Sequence, residues 1–284
     1  MEAFCMTGLV LEGGTFRPIF SCGVMDALLS ENIMLPYCIG VSAGIADGVS
    51  YISRQPQRNL EIMQKYRNDK RYLSRSNLRK YKSIFGLDFV FNEIPDKLIP
   101  FDKKTFFSYT GTCLVGVTNA QTGQAEYKNA MDMDDKYTML RATCALPMFF
   151  PAIEMDGVPY YDGGLSDPIP AKKALDDGCE KLLIILTQPR GFVKRYGKYD
   201  RMGARMLGRK YPEIKKTIIS RPERYNDTVR YCEELEKEGK AMIIRPNHLL
   251  NSFESSVQKL EMAYWHGYRM TKEKMKKIRR FMEE

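Results

Sequence analysis

The first 54 residues alternate between short apolar runs and segments with helical spacing, and this alternation constrains the fold more than any other feature. The apolar runs Cys5–Glu12 and Leu35–Val41 have the length of buried strands. The first leads into a helical segment at Pro18–Asn32 and the second into another at Ala43–Arg54. Strand, helix, strand, helix with short connections is typical of a parallel sheet covered by helices. The sequence therefore predicts an α/β fold.

The later sequence continues this pattern and then changes character. The predicted elements are a hairpin over Thr112–Asn129, a helix over Asp134–Pro147, a short strand after Gly157, a buried strand at Lys181–Thr187 and a final amphipathic helix from Val257 to Met282. After Gln188, strand-like runs almost vanish apart from Ala241–Pro246. We therefore expect one domain over residues 1–188 and a mainly helical C-terminal extension, packed on it, over residues 189–284. The alternative is that this tail is only the last helical layer of the same domain.

The charge of the chain indicates attraction to anionic surfaces, and the alternative is an ordinary solvated basic face. Lys and Arg number 44 against 35 Asp and Glu, a net charge of +9. The basic segment Tyr66–Lys82 and the C-terminal helix are candidates for peripheral contact with an anionic membrane. No nucleic-acid-binding motif accompanies the charge, so no nucleic acid is expected as a partner. The oligomeric state stays open.

The cysteines and the N-terminus indicate in which cellular compartment the protein is expected. The 7 cysteines include no CxxC pair, which favours free thiols in a reducing cytoplasm. The N-terminus has no basic leader before a long apolar stretch, and no apolar run has the length of a membrane span. We expect a cytoplasmic protein, peripheral at the inner membrane surface. No metal-ligand cluster occurs in the sequence, so neither metal nor cofactor is expected.

A G-x-S-x-G pentapeptide, Gly40-Val41-Ser42-Ala43-Gly44, lies between the second predicted strand and the second predicted helix. A nucleophilic serine on a tight turn needs this context, because small neighbours prevent clashes and the helix N-terminus favours the alkoxide. The alternative is a serine that only caps the helix. Ser42 is therefore the candidate nucleophile.

A glycine pair follows the first predicted strand, in the stretch Leu11–Pro18. Gly13 and Gly14 let backbone N–H groups turn outward at a helix N-terminus, where they stabilise developing negative charge. The stretch lacks the glycine spacing of a dinucleotide fingerprint and the Gly-Lys-Ser/Thr of a P-loop. On its own the pattern also fits an ordinary strand-to-helix turn.

Ser42 needs a base, and the sequence offers two kinds. The two histidines are His248 and His266, and the order Ser42, Asp162, His248 matches a serine–acid–histidine triad. Only one strand and one helix precede the strand–turn–helix element that holds Ser42, however, which is too few for the fold that carries such a triad. Asp162 precedes two glycines, and a buried carboxylate whose pKa is raised can act as the base directly.

These three stretches together resemble the patatin-like phospholipases over about residues 7–190. The matching residues are Gly13, Gly14 and Arg17 in the first stretch, Ser42 in the second, and Asp162, Gly163 and Gly164 in the third. The tail resembles an extension found in a bacterial branch of that family. The resemblance implies a three-layer α/β/α sandwich around a mainly parallel sheet. It also implies a Ser42–Asp162 dyad without histidine that hydrolyses lipid esters.

The sequence departs from the family pattern at two positions of the first stretch. Thr15 replaces the usual third glycine, and Pro18 replaces the glycine after Arg17. Pro18 has no N–H to donate, so Gly14 and Thr15 are the expected oxyanion donors, with Gly13 as support. Thr15 loses conformational freedom where the loop needs a positive φ. The rival interpretation is a non-catalytic lipid- or partner-binding protein that keeps this fold.

Overall fold

The computed structural model describes residues 6–283, which form an eight-stranded sheet with helices on both faces. The strands are β1 Thr7–Leu11, β2 Tyr37–Val41, β3 Thr112–Asn119, β4 Ala125–Asn129, β5 Ile153–Met155, β6 Val158–Asp162, β7 Lys181–Ile185 and β8 Ala241–Ile244. The helices are α1 Ile19–Leu29, α2 Ala43–Ile52, α3 Arg58–Tyr66, α4 Asn77–Tyr81, α5 Lys103–Phe107, α6 Thr138–Thr143, α7 Ala171–Asp176, α8 Lys198–Leu207, α9 Pro212–Lys237 and α10 Val257–Glu283. A π-helical segment, Phe89–Leu98, lies between α4 and α5.

The sheet is parallel at its centre and antiparallel at one side. Its order is β5-β6-β3-β2-β1-β7-β8, and β4 pairs with β3 beside this path. Strands β3, β2, β1, β7 and β8 run parallel to one another. Strands β4, β5 and β6 pair antiparallel with their neighbours. The predicted mainly parallel sheet and the predicted hairpin are both confirmed.

Alternate residues of the central strands point into two separate cores. In β1, Leu9 and Leu11 pack into the core beneath α1, α2 and α10, whereas Val10 packs into the opposite core beneath α7 and α9. In β7, Leu183 packs into the first core and Ile184 into the second, because successive strand side chains point to opposite faces. Helices, sheet and helices therefore form the three layers that the family resemblance implies.

The C-terminal segment takes part in every layer of this fold. Strand β8 pairs with β7 at the edge of the sheet. Helix α9 covers one face, and α10 packs against α1 on the other. The Tyr264 hydroxyl on α10 donates to Asp26 of α1 at 2.6 Å. The division into domains at residue 189 stays a prediction.

One predicted helix begins later in the structure than the sequence indicates. The predicted helix Asp134–Pro147 begins only at Thr138, because the Asp134 carboxylate accepts from the Thr138 N–H at 2.7 Å and Tyr137 takes a left-handed φ of 54°.

The six cysteines within residues 6–283 are free thiols, and Cys5 lies outside the described residues. Within the same residues, no helix is both long and apolar enough to cross a membrane.

Candidate active site

The register of the sheet brings the three sequence stretches together at one edge. Leu11 of β1 pairs with Gly40 of β2, so the loops that follow both strands emerge side by side. In β3, Gly116 pairs with Val41 and the next residue, Val117, pairs with Asp162. Loops at the carboxyl ends of parallel strands are where open α/β sheets hold their sites.

Ser42 lies on a strained turn between β2 and α2. Its φ of 54° and ψ of −144° lie in a region that residues other than glycine rarely adopt. The Ser42 N–H donates to Thr143 Oγ1 at 2.7 Å, and Thr143 in turn donates to the Gly116 carbonyl at 2.5 Å. Buried Thr143 therefore ties the turn to β3. No sequence motif marks Thr143, which lies 101 residues away from Ser42.

Asp162 is 2% exposed and stands at the end of β6. Its Oδ1 accepts from the Gly164 N–H at 2.8 Å, and its buried Oδ2 has no hydrogen-bond partner in the described chain. Burial raises the pKa of Asp162, and the Ser42 hydroxyl is the strongest influence that lowers it again. The Ser42 hydroxyl therefore lies close enough to the Asp162 carboxyl to influence it, without a closed hydrogen bond between them.

The loop after β1 presents free backbone N–H groups beside Ser42. A Cβ on Gly13 would lie 2.6 Å from the Ser42 Cβ, so the loop approaches the serine as closely as glycine allows. Gly14 and Thr15 have φ values of 153° and 58°, and their N–H groups find no acceptor within the described residues. Thr15 therefore holds the strained positive φ that glycine would adopt freely.

Arg17 fixes this loop and does not face Asp162 as a free cation. Its guanidinium lies 3.6 Å from the Glu12 carboxylate and donates to Thr187 Oγ1 at 3.0 Å and to Ser252. Burial lowers its pKa, and Glu12 opposes that shift. Glu12 also accepts from the Thr187 N–H and the Tyr225 hydroxyl. Sequence reasoning missed Glu12, because its partners lie far along the chain.

Three of the remaining predicted glycines, Gly40, Gly44 and Gly163, pack where a side chain would collide with a neighbouring element. A Cβ on Gly163 would lie 2.2 Å from the Gly116 carbonyl, so Gly163 allows the Asp162 turn to reach β3. Gly40 packs against Leu11, and Gly44 packs against the carbonyl of Glu12. All of them support the turns that hold Ser42 and Asp162.

Two cavities meet at Ser42. The first has about 1110 Å³ of empty space including its mouth and is mostly apolar, with Met63, Tyr72, Phe85, Phe91, Phe101 and Phe150 among its lining residues. The second, of about 940 Å³, also contains Asp162 and several charged side chains. Thr15, Ser42 and Leu146 line both. We refer to them as the apolar cavity and the polar cavity.

Neither histidine meets the serine. The rings of His248 and His266 stack on each other with centroids 5.3 Å apart, and neither lines either cavity. The triad alternative with His248 therefore has no support in the geometry. Among the described residues, no cluster of three or more His, Cys, Asp or Glu side chains offers a metal site.

Two family models match parts of this chain. The model of the patatin-like phospholipase family matches residues 9–175, and that of a domain of unknown function (DUF6363) matches residues 211–283. The uncharacterized protein YjjU of Escherichia coli (strain K12) is 25% identical over 184 residues, which are 64% of this chain and 52% of YjjU. The chain thus spans about half the length of this curated relative.

Among solved structures, VipD from Legionella pneumophila aligns with 95% of this chain and 66% of its own, at 16% identity and a TM-score of 0.47. The family model covers more than half of the 284 residues and includes the Gly13 loop, Ser42 and Asp162. The chain therefore belongs to the patatin-like phospholipase family.

Proposed function

We propose that the protein is a serine acyl hydrolase that cleaves carboxylic esters of lipids through an acyl-enzyme, with Ser42 as nucleophile and Asp162 as base. Membership of the family supports lipid acyl hydrolysis in general. The observation that carries the dyad is the buried, unpartnered Oδ2 of Asp162 beside a serine on a strained turn. Free N–H groups at Gly14 and Thr15 complete the set that acyl transfer requires.

In the acylation half of the reaction, Asp162 takes the proton from Ser42 Oγ as that oxygen bonds to the ester carbonyl carbon. The carbonyl electron pair moves onto its oxygen, where the Gly14 and Thr15 amides stabilise the charge. Each such donor is worth about 3–4 kcal/mol in comparable sites. As the carbonyl re-forms, the bond to the alcohol oxygen breaks and Asp162 returns the proton to that alcohol.

Deacylation repeats these steps with water. Asp162 removes a proton from water, whose oxygen attacks the acyl carbon, and the same amides hold the oxyanion. Collapse of this intermediate releases the fatty acid, and Ser42 Oγ recovers its proton from Asp162. Ester and water are thereby converted into acid and alcohol, and the chemistry uses only groups of the chain.

The apolar cavity fits the acyl chain, because its walls are mostly aromatic and aliphatic, although Asp47, Arg58 and Asn59 also line it. Ala46 lines this cavity one helical turn after Ser42, and its N–H donates to the Ser42 carbonyl at 3.0 Å. A long acyl chain bound at Ser42 passes this position, whereas a very short one ends before it.

Replacing Ala46 with phenylalanine is therefore expected to shift the chain-length preference towards short esters. We expect kcat/KM for a palmitoyl ester to fall about tenfold or more relative to a butyryl ester, since an aromatic ring overfills the path of the longer chain. The check is a chain-length series of p-nitrophenyl esters, with Ala46→Val as a graded intermediate. An unchanged series would show that the acyl chain lies elsewhere.

Peripheral membrane contact is also part of the proposal, and α8 offers a surface for it. Tyr199, Met202 and Met206 form an exposed apolar stripe on this helix, with exposures of 64%, 41% and 50%. Arg201 and Arg205 form an exposed cationic stripe beside it. An apolar stripe next to cations is typical of helices that lie in the interface of an anionic bilayer. Tyr199 also lines the polar cavity, so a bilayer held here would face the site.

Vesicle binding tests this surface against the segments expected from sequence. We expect Met202→Ser with Met206→Ser, and separately Arg201→Gln with Arg205→Gln, to lower affinity for phosphatidylglycerol-containing vesicles by about tenfold. Phe107→Ser with Leu249→Ser serves as the matched control, because both side chains are exposed and line neither cavity. Loss of binding only on Arg75→Gln with Arg79→Gln would instead assign contact to Tyr66–Lys82. Unchanged binding in all of these variants would contradict contact through α8 and through Tyr66–Lys82.

A further inference from the structure

The proposed Ser42–Asp162 dyad does not by itself explain what the polar cavity binds. An ester carbonyl carbon carries two substituents, the acyl chain and the alcohol. The two cavities meet at Ser42, and the apolar one suits the acyl chain. The alcohol therefore extends into the polar cavity, and the side chains there are placed to recognise it.

Three cations line the polar cavity, and two of them already have acidic partners. Arg17 pairs with Glu12 at 3.6 Å, and Arg221 of α9 pairs with Asp200 at 3.4 Å. Within residues 6–283, the Lys194 ammonium makes neither an ion pair nor a hydrogen bond. Asp162 is the remaining acid of the cavity. When Asp162 holds the serine proton, the cavity carries an uncompensated positive charge.

Lys194 is held in place by its surroundings. Asn226 of α9 accepts from the Lys194 N–H at 2.8 Å and donates to the Lys194 carbonyl at 3.0 Å. The ammonium lies 5.3 Å from the centre of the Tyr225 ring. Burial, followed by repulsion from Arg221 and Arg17, lowers the pKa of Lys194 to about 7. A bound anion would offset both influences, because it replaces lost solvation and screens the neighbouring cations.

We infer that Lys194, assisted by Arg221, forms an anion-binding subsite that selects esters whose alcohol carries a phosphate or a carboxylate. This inference rests on the proposed acyl hydrolysis at Ser42. Arg221 also donates from Nε to the Gly164 carbonyl at 3.0 Å, which links the subsite to the turn that holds Asp162. Both cations lie in the C-terminal segment, and Arg221 lies within the DUF6363 match. The subsite thereby gives that segment a part in substrate choice.

Three substrates with one acyl chain test the subsite: a monoacylglycerol, its 3-phosphate and the corresponding acylglycerate, which carries a carboxylate. We expect the wild type to favour the charged esters and Lys194→Met to lower the charged-to-neutral ratio of kcat/KM by about 10- to 100-fold. The charged-to-neutral ratio is taken within one variant, so any effect of the Lys194 substitution on Asp162 changes both rates equally and cancels. Lys194→Arg should restore most of the preference, and Lys198→Met is the matched control outside the cavity. Whether phosphate or carboxylate responds more strongly identifies the preferred anion.

Each outcome separates this inference from the proposed function. If neutral and charged esters are hydrolysed with a ratio that Lys194→Met leaves unchanged, the subsite is refuted and acyl hydrolysis stands. If no ester is hydrolysed, acyl hydrolysis fails, and binding of the ether 1-O-hexadecylglycerol 3-phosphate by calorimetry decides the subsite alone. Weaker binding to Lys194→Met than to wild type then supports it, and equal binding overturns it.

Discussion

Replacing Ser42 with alanine is expected to lower kcat/KM for lipid esters by at least about 10⁴-fold, because the proposed acyl-enzyme forms on the Ser42 Oγ. The fold should persist. The Ser42 N–H keeps its bond to Thr143, and alanine accepts the same φ of 54° at a similar strain. Stability should therefore change by less than about 0.5 kcal/mol, as for other substitutions that remove no packing. Hydrolysis of p-nitrophenyl esters, together with thermal unfolding, measures both quantities.

His248→Ala is the control for this experiment. His248 is exposed, stacks on His266 and lines neither cavity, so its removal should leave hydrolysis within about twofold of the wild type. A loss of several orders of magnitude would restore the histidine triad. Full activity in Ser42→Ala would remove the nucleophile, and lipid binding without hydrolysis in the wild type would favour the non-catalytic interpretation.

Replacing Asp162 with asparagine is expected to lower kcat by about 10²- to 10⁴-fold, the usual contribution of a general base. The asparagine oxygen can still accept from the Gly164 N–H, so the turn after β6 should keep its shape. The amide nitrogen cannot take the serine proton. Activity in Asp162→Asn comparable to the wild type would exclude Asp162 as the base.

The same substitution should stabilise the protein near neutral pH. Folding raises the pKa of Asp162 through burial, so the folded state disfavours the carboxylate. The carboxyl contributes its full stability below its unfolded pKa of about 3.9 and loses that contribution as pH rises through the folded pKa. Asparagine has no charge to bury, so the melting temperature should rise at pH 8 and change less at pH 4. A lower melting temperature at pH 8 would contradict the assigned environment.

Wild-type activity should follow the same titration. The base must be ionised to accept a proton, so the acid limb of kcat/KM should lie above the ordinary carboxyl range of about 3.9. An acid limb at or below about 3.9 would contradict a base whose pKa is raised by burial, and therefore the assignment of Asp162.

The parts of the fold and site that depend on local pattern were predictable from the sequence. Strands β1 and β2 are short apolar runs, each followed by a turn that contains glycine or serine. The periodicity of apolar residues and the residues that form turns can both be read from a short stretch of sequence. The Gly13 loop, Ser42 and Asp162 were candidates from their local motifs, the resemblance joined them into one site, and the strand register accounts for their meeting. Their catalytic roles stay proposals.

The parts that depend on distant contacts were not predictable. Thr143 resembles any threonine near a helix end, and only the structure joins it to Ser42. Lys194 and Arg221 lie in charge-rich sequence that favours a solvated surface, yet both line the polar cavity. The buried residues of helix α9, among them Ile214, Ile218 and Tyr225, recur at helical spacing, but no local signal identifies β8 and the Asp162 turn as the elements they pack against.

Covalent labelling tests the central claim most directly. The protein is treated with a fluorophosphonate, which reacts with activated serines, and the modified peptide is located by mass spectrometry. A Ser42–Asp162 dyad predicts one adduct on Ser42 in the wild type and in His248→Ala, none in Ser42→Ala, and strongly slowed labelling in Asp162→Asn. Labelling at another residue, or labelling of Ser42 that requires His248 but not Asp162, would contradict it.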